Sequence, residues 1–243
     1  IGCADIAERR TLPAIKALAE NFKLVAILSR DLKKAENLAK IYNCDAIEGY
    51  DNIFNLKNLD AVYLPLPTGL HAEWIPKLLM NGIHVYSEKS ISMNLEEANS
   101  YVNLSKENNV ALMEGYMFQY HNQHKQVKKL LQTNQIGELK HFSSWFGFPL
   151  PTEKSFRLNQ DIGGGILCDV AGYPVKATSM FLGNDLSVEG AVLFKDMDNK
   201  IEMSGSALLQ NNNMITSNIV FSYQDCDNQI KYFLCRPQNP EKV

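Results

Sequence analysis

No apolar run in this chain approaches the roughly 18 residues needed to cross a bilayer, and no charged-then-apolar leader opens it. No membrane partner is expected. No basic block of the kind that tracks a phosphate backbone is present, and the formal charge is −3. Nucleic acid is therefore not an expected partner either. No CxxC pair occurs. The five cysteines, Cys3, Cys44, Cys168, Cys226 and Cys235, are odd in number and scattered. That argues against a disulfide framework and against a metal site, and it points to a reducing cytoplasm. Internal repeats and low-complexity linkers are absent as well. What remains is ordinary globular composition: 243 residues, 45% apolar and 21% charged, enough for one large domain or two modest ones.

The first 117 residues alternate strand-like and helix-like pieces. "FKLVAILS" (22–29), "LDAVYLPLP" (59–67), "IHVYSEK" (83–89) and "VALMEGYM" (110–117) read as strands. Between them lie helical stretches at 30–42, 69–82 and 94–109, the last with Asn94 as a cap. Strands separated by helices of this length imply βαβ units and a parallel sheet. The second half changes character. After a helix near 120–133 and a strand at 139–147, a glycine-rich helical segment is followed by four strands, at 186–194, 201–210, 214–223 and 229–235. Their partial period-2 alternation predicts an antiparallel sheet with one solvated or partner-facing side.

Two short stretches point to a dinucleotide. "GCADIA" (2–7) is a degenerate G-x-G-x-x-G/A. Gly2 allows the tight turn, Ala4 stands where the backbone approaches a pyrophosphate, and Ala7 lets a helix pack close to the sheet. A plain strand-to-helix turn would look the same. The next strand ends in Ser29-Arg30. A carboxylate there would accept hydrogen bonds from a ribose 2′-OH, whereas a hydroxyl and a guanidinium suit a 2′-phosphate. The pattern favours NADP(H) over NAD(H). Lys33 and Lys34 add positive field, or simply form a solvated helix face.

Two more stretches carry candidate chemistry. Glu88-Lys89 closes an apolar strand at the carboxyl edge, where ligands bind in open α/β sheets. In "GGGILCDVAGYPVKA" (163–177), a continuous helix over 166–182 would place Asp169, Tyr173 and Lys176 on one face. Pro174 kinks that helix or marks the start of its regular part. The three glycines would let backbone enter tightly, against a cofactor. Asp169 as a cap and Tyr173 as a locally satisfied phenol fit the helix equally well. His121 and His124 have no third ligand at metal spacing and read as a helix surface near the substrate cleft. Trp74 and Trp145 read as core or interface, and Asn211–Asn213 as a hairpin turn.

Taken together, "GCADIA", "SR" (29–30), "LPLPTGLHAEW" (64–74), "SEKS" (87–90) and "GGGILCDVAGYP" (163–174) resemble the glucose–fructose oxidoreductase/inositol dehydrogenase/MocA family across almost the whole chain. Within it, the sequence is most similar to nucleotide-linked 3-ketosugar reductases. The dihydrodiol and xylose dehydrogenases share its Tyr-Pro type. The resemblance implies a Rossmann domain over 1–117 with a doubly wound parallel sheet that binds NADP. It also implies an α+β domain over 118–243 for substrate binding and oligomerisation, with an open, mainly antiparallel sheet as the subunit interface. The chain is expected to be shortened at both ends relative to the family.

The resemblance also implies roles. Lys89, Tyr173 and Asp169 match catalytic positions. Gly2, Ala4, Ile6, Ser29, Arg30, Leu64, Pro65, His71 and Glu88 match cofactor-binding positions, and Arg10 is a candidate for cofactor phosphate. Ser90 departs from the family's usual proline. The implied reaction is hydride transfer from NADPH to a sugar ketone. Tyr173 is the acid, Lys89 lowers the phenol's pKa or polarises the carbonyl, and Asp169 orients a sugar hydroxyl or Lys89. Two alternatives stay open: an NAD(P)-dependent dehydrogenase of a free sugar or trans-dihydrodiol, and a non-catalytic cofactor-binding protein.

Overall fold

The computed structural model describes residues 1–150, 155–196 and 200–224, and the backbone of 229–235. Cys226 and residues 236–243 of the final stretch lie outside the described residues. The chain divides into two compact units, Ile1–Gly115 and Tyr116–Val243.

In the first unit, β1 (Ala26–Ser29) pairs in parallel with β2 (Asp45–Glu48). β3 (Ala61–Leu64), β4 (His84–Ser87) and β5 (Leu112–Glu114) form a second parallel set. Ile1 and Gly2 connect the two sets. Ile1 N donates to Tyr63 O at 2.8 Å and Gly2 N to Leu28 O at 2.7 Å. Each strand is followed by a helix or helical turn, as alternation of apolar runs with 3.6-periodic segments dictates. A π-helical turn at Ala7–Thr11 runs into α1 (Leu12–Ala17). α2 (Leu32–Tyr42) starts on Asp31, whose carboxylate accepts from Lys34 N. α3 (His71–Met80) buries Trp74, Ile75, Leu78 and Leu79 against Leu28, Val62, Leu64 and Val85. α4 (Leu95–Glu107) is capped by Asn94, which accepts from Glu97 N at 2.9 Å. All three interstrand pairings within this unit run parallel, so the carboxyl ends of its strands share one edge.

The second unit packs helices on one face of a sheet. α5 (Asn122–Gln132) precedes β6 (His141–Gly147). α6 (Ile166–Asp169) and α7 (Gly172–Leu182) follow, then β7 (Leu186–Lys195), β8 (Glu202–Asn211), β9 (Thr216–Ser222) and β10 (Gln229–Cys235). The spatial order is β10-β6-β9-β8-β7. Among the described residues only β6 and β9 pair in parallel; the other three pairings are antiparallel. Ile219 and Phe221 of β9 point into the core with Ile166 and Val170, while Asn218 and Val220 face outward. Asn211 shapes the β8–β9 turn by accepting from Asn213 N and Ile215 N.

Three expectations change. β2 is a strand that the sequence pattern does not announce. His124 is buried against Phe118 and Phe181 rather than surface-exposed. The expected helix over 166–182 is broken at Val170 (φ −123°, ψ −38°). Pro174 supplies the reason, because its ring would collide with the carbonyl of residue 170 in a continuous helix. As the third residue of α7 it needs no intrahelical donor, so it marks the regular start.

Candidate functional site

The shared carboxyl edge of the first unit gathers most of the residues matched to cofactor positions. Gly2 has φ +95°, and a Cβ there would lie 2.9 Å from Leu66 Cδ2, so only glycine fits the turn. The chain then turns into a helical run whose first carbonyl, from Ala4, accepts from Ala7 N and Glu8 N. Ile6 lies in this first turn, and Arg10 is exposed further along it. Arg9 pairs with Asp5. At the end of β1, Ser29 is buried and its Oγ accepts from Asp31 N at 3.1 Å. Arg30 beside it is exposed. A glycine turn opening a helix beside a strand that ends in a hydroxyl and a free-standing guanidinium fits a dinucleotide carrying a 2′-phosphate.

Leu64 and Pro65 close β3 and are buried. The Glu88-Lys89 segment is strapped to this edge from several sides. Glu88 N donates to Leu64 O at 3.1 Å, and Ile91 N donates to Glu114 Oε1 at 2.8 Å. The Lys89–Ser90 peptide is cis, and Lys89 is half-buried. Glu88 is buried and accepts from the Tyr63 hydroxyl at 2.7 Å. Burial, followed by the neighbouring carboxylate, pushes the Tyr63 phenol well above the ordinary tyrosine range. Tyr63 is a partner that sequence spacing does not reveal, since it lies 25 residues away on β3.

His71 is fully buried, with Nδ1 3.1 Å from Ile91 O and Nε2 3.0 Å from Leu66 O. Its ring therefore ties the 64–71 turn to the 88–91 loop. Burial lowers its pKa, against the opposing pull of backbone groups of Ile91, Leu66 and Ser90. A base with a depressed folded-state pKa stabilises the fold above its ordinary value of about 6.5, and that stability is lost as pH falls. Thermal melts between pH 7.5 and 5.0 should show this loss, at up to about 1.4 kcal/mol per pH unit for one proton. His71→Asn should flatten the slope. An identical slope in that variant would show that His71 does not carry it.

In the second unit, Asp169 is buried and accepts two hydrogen bonds on Oδ2. One comes from Arg157 Nε at 2.6 Å and one from the Tyr223 hydroxyl at 2.9 Å. Burial first, then the Asp169 charge, pushes the Tyr223 phenol far above its usual range. The Arg157 guanidinium also lies over Phe148 and Phe156, at 5.5 and 4.9 Å from the ring centroids. Gly164 and Gly165 before α6 make room for the chain itself. A Cβ on Gly164 would sit 2.6 Å from the carbonyl oxygens of Arg157 and Asn159, and one on Gly165 2.4 Å from Glu202 Oε2. Gly164 N and Gly165 N donate to those same two carbonyls. The glycines thus bring the Arg157 segment up to Asp169.

The helix break separates the faces expected to be shared. Asp169 ends α6, while Tyr173 and Lys176 lie in α7. Tyr173 is half-buried, with Phe146, Tyr116 and Phe118 around its ring at centroid distances of 4.5, 5.3 and 5.6 Å. Among the described residues no group of three or more His, Cys, Asp or Glu side chains could hold a metal ion.

A parallel nucleotide-type sheet with a glycine turn, followed by a sheet-and-helix unit carrying a buried Asp and a caged Tyr, is the arrangement of a Rossmann-class dinucleotide-binding protein with a second α+β unit. The comparison with family models is specific. Residues 1–116 match the GFO/IDH/MocA oxidoreductase family, NAD-binding Rossmann fold, and residues 124–235 match the GFO/IDH/MocA C-terminal domain. The chain belongs to this family. It is 40% identical over 210 residues to a dTDP-3,4-didehydro-2,6-dideoxy-α-D-glucose 3-reductase of Saccharopolyspora spinosa, covering 86% of this chain and 63% of that protein. A reductase of the same name from Actinomadura kijaniata is 38% identical, covering 92% of this chain and 67% of its own. The chain thus spans roughly two thirds of the length of these relatives. The crystal structure of KijD10, a 3-ketoreductase from Actinomadura kijaniata in complex with NADP and TDP-benzene, superposes with a TM-score of 0.90 at 37% identity. That match covers 95% of this chain and 71% of KijD10. Solved forms of KijD10 include one tyrosine-to-phenylalanine variant and variants of one lysine. Those two positions are separated along its chain by the same interval as Lys89 and Tyr173 here.

Proposed function

We propose that this chain is the greater part of an NADPH-dependent reductase acting on the 3-keto group of a nucleotide-linked deoxysugar. The observation that carries the reading is the likeness to dTDP-3-ketosugar reductases over most of the chain, including the matching interval between Lys89 and Tyr173. Ser29 and Arg30 support the phosphorylated cofactor, since they offer a hydroxyl and an exposed guanidinium where NAD-specific sheets place a carboxylate. In this reading residues 1–117 bind NADP, with pyrophosphate at the Gly2–Ala4 turn beside Ile6, and Leu64, Pro65 and Glu88 along the nicotinamide side. His71 shapes that edge through Leu66 and Ile91, and Arg10 reaches phosphate from the first helical turns. Residues 118–243 bind the sugar.

Bound NADPH would supply the hydride that forms the new C–H bond at the carbonyl carbon. The Tyr173 hydroxyl gives its proton to the carbonyl oxygen and recovers one from water. The Lys89 ammonium stabilises the charge that builds on that oxygen. Asp169 acts one step back, fixing the start of α7 through Arg157 and Tyr223.

The reading also includes a cytoplasmic homodimer joined through the second unit's sheet. The free cysteines Cys3 and Cys44 support the reducing compartment. Val188, Val192 and Phe194 on β7 are more than half exposed, at 66%, 69% and 56%. Leu208 and Val220 are also exposed on the neighbouring strands, which supports a covered apolar face.

The test is fluorescence titration with NADPH and NADH, then turnover on dTDP-3,4-didehydro-2,6-dideoxy-α-D-glucose, D-xylose and a trans-dihydrodiol. Tighter NADPH binding and reduction of the dTDP-sugar are expected, with light scattering giving twice the chain mass. Oxidation of xylose or the diol alone would replace this reading with a dehydrogenase. NADPH binding without any turnover would leave only a cofactor-binding protein.

A further inference from the structure

Gly172 opens α7, and nothing in its backbone conformation demands glycine. Its neighbour does. A Cβ on Gly172 would lie 1.7 Å from the Tyr116 hydroxyl oxygen and 2.7 Å from Tyr116 Cζ. Tyr116 is 7% exposed, and its phenol is seated over the Gly172 α-carbon. The next residue in the chain is Tyr173. The Tyr116 ring stands edge-on to the Tyr173 ring, with centroids 5.3 Å apart and planes at 89°. Phe118, two residues on, lies 5.6 Å from Tyr173 and also meets Tyr116 edge-on at 6.3 Å. Phe146 from β6 completes the surround at 4.5 Å. Alanine at 172 under a smaller ring would fill the same space and favour the helix more. The sequence instead keeps a large phenol and the one residue that admits it, directly before the candidate acid.

We propose that Tyr116, seated on Gly172, is a positioning residue that sets the orientation of the Tyr173 phenol. This rests on the reading of Tyr173 as the proton donor. The donor's hydroxyl must reach a carbonyl oxygen at hydrogen-bond distance. A ring free to swing about χ1 and χ2 would spend little time there. Tyr116 and Phe118 limit the ring from one side and Phe146 from another, while the Tyr173 N–H is fixed to Val170 O at 3.0 Å.

The test uses the intact enzyme with NADPH and dTDP-3,4-didehydro-2,6-dideoxy-α-D-glucose, and crystal structures of the variants. Gly172→Ala is expected to displace the Tyr173 ring and lower kcat by about 10- to 100-fold, with KM changed less than about threefold. In a Tyr116→Phe background the same substitution should cost less, because the atom at 1.7 Å is gone and only Cζ, at 2.7 Å, still crowds the new methyl. A Tyr173 ring that keeps its place in Gly172→Ala crystals overturns the proposal. So does an equal loss of kcat in both backgrounds. Should Gly172→Ala fail to fold, Tyr116→Leu keeps the glycine and removes the wall; it should lower kcat while KM holds, and an unchanged kcat overturns the proposal. Tyr173→Phe run alongside separates the two ideas. Full turnover there removes Tyr173 as acid, whereas an inactive Tyr173→Phe with an unaffected Gly172→Ala removes only the positioning role.

Discussion

Tyr173→Phe is expected to lower turnover by about 10²- to 10⁴-fold while NADPH binds within about threefold of its wild-type affinity. The substitution removes one oxygen and keeps the ring among Phe146, Tyr116 and Phe118, so packing is preserved. In the proposed mechanism, what is lost is the proton donor. Lys89→Ala should be at least as severe, because in that mechanism it removes the cation set against the developing oxyanion. The loop around Lys89 is held through backbone bonds from Glu88 and Ile91 and through the His71 ring, so the side chain can be shortened without freeing the loop. Stopped-flow reduction at saturating NADPH, with a separate binding titration, measures both effects. Near-normal turnover in either variant, with an unaltered circular dichroism spectrum, would remove that residue from the reaction.

Asp169→Ala is expected to destabilise the second unit by about 3 kcal/mol, the scale for removing one partner of a buried ion pair. The substitution strands the Arg157 guanidinium and the buried Tyr223 hydroxyl, both of which now donate to one carboxylate oxygen. Arg157 is partly open to solvent, at 27% of its side chain, which keeps the figure below the upper end for fully buried pairs. Tyr223→Phe removes a single neutral donor and should cost about 1 kcal/mol. The two changes break the same Tyr223–Asp169 bond, so their effects should not add in the double variant. Urea unfolding of the two single variants and the double variant gives the numbers. A loss below about 1 kcal/mol for Asp169→Ala would mean that water replaces the carboxylate without cost. A stable but inactive Asp169→Ala would instead place this carboxylate on the substrate.

Where the sequence is informative, the reason is local. Asn94 caps α4 as its spacing to Glu97 implies, since a cap is decided within four residues. Ser29, Leu64 and Ser87 end short apolar runs, so their place at a strand's carboxyl end is readable from composition alone. β2 escapes because "DAIE" has only two apolar residues, flanked by exposed charges, and it is a strand by virtue of pairing with β1. The 166–182 segment misleads for a different reason. Helical spacing is a rule for one continuous rod, and a single proline displaces everything after it. The partners of Asp169 lie 12 residues before it and 54 after it. No periodicity links positions that far apart. The nearest sequence clue is an arginine between aromatic and apolar neighbours, "SFRL", just ahead of the three glycines.

The Tyr223–Asp169 bond has a consequence for how the molecule assembles. It joins positions 54 residues apart in the chain, and the intervening residues include β7, β8 and β9. Closing so wide a loop is slow compared with winding a helix. α6 and α7 can therefore form early as local structure, but the carboxylate between them finds its phenol only after the hairpins have zipped. A nascent chain halted before residue 223 would own both helices and lack the bond that orients them.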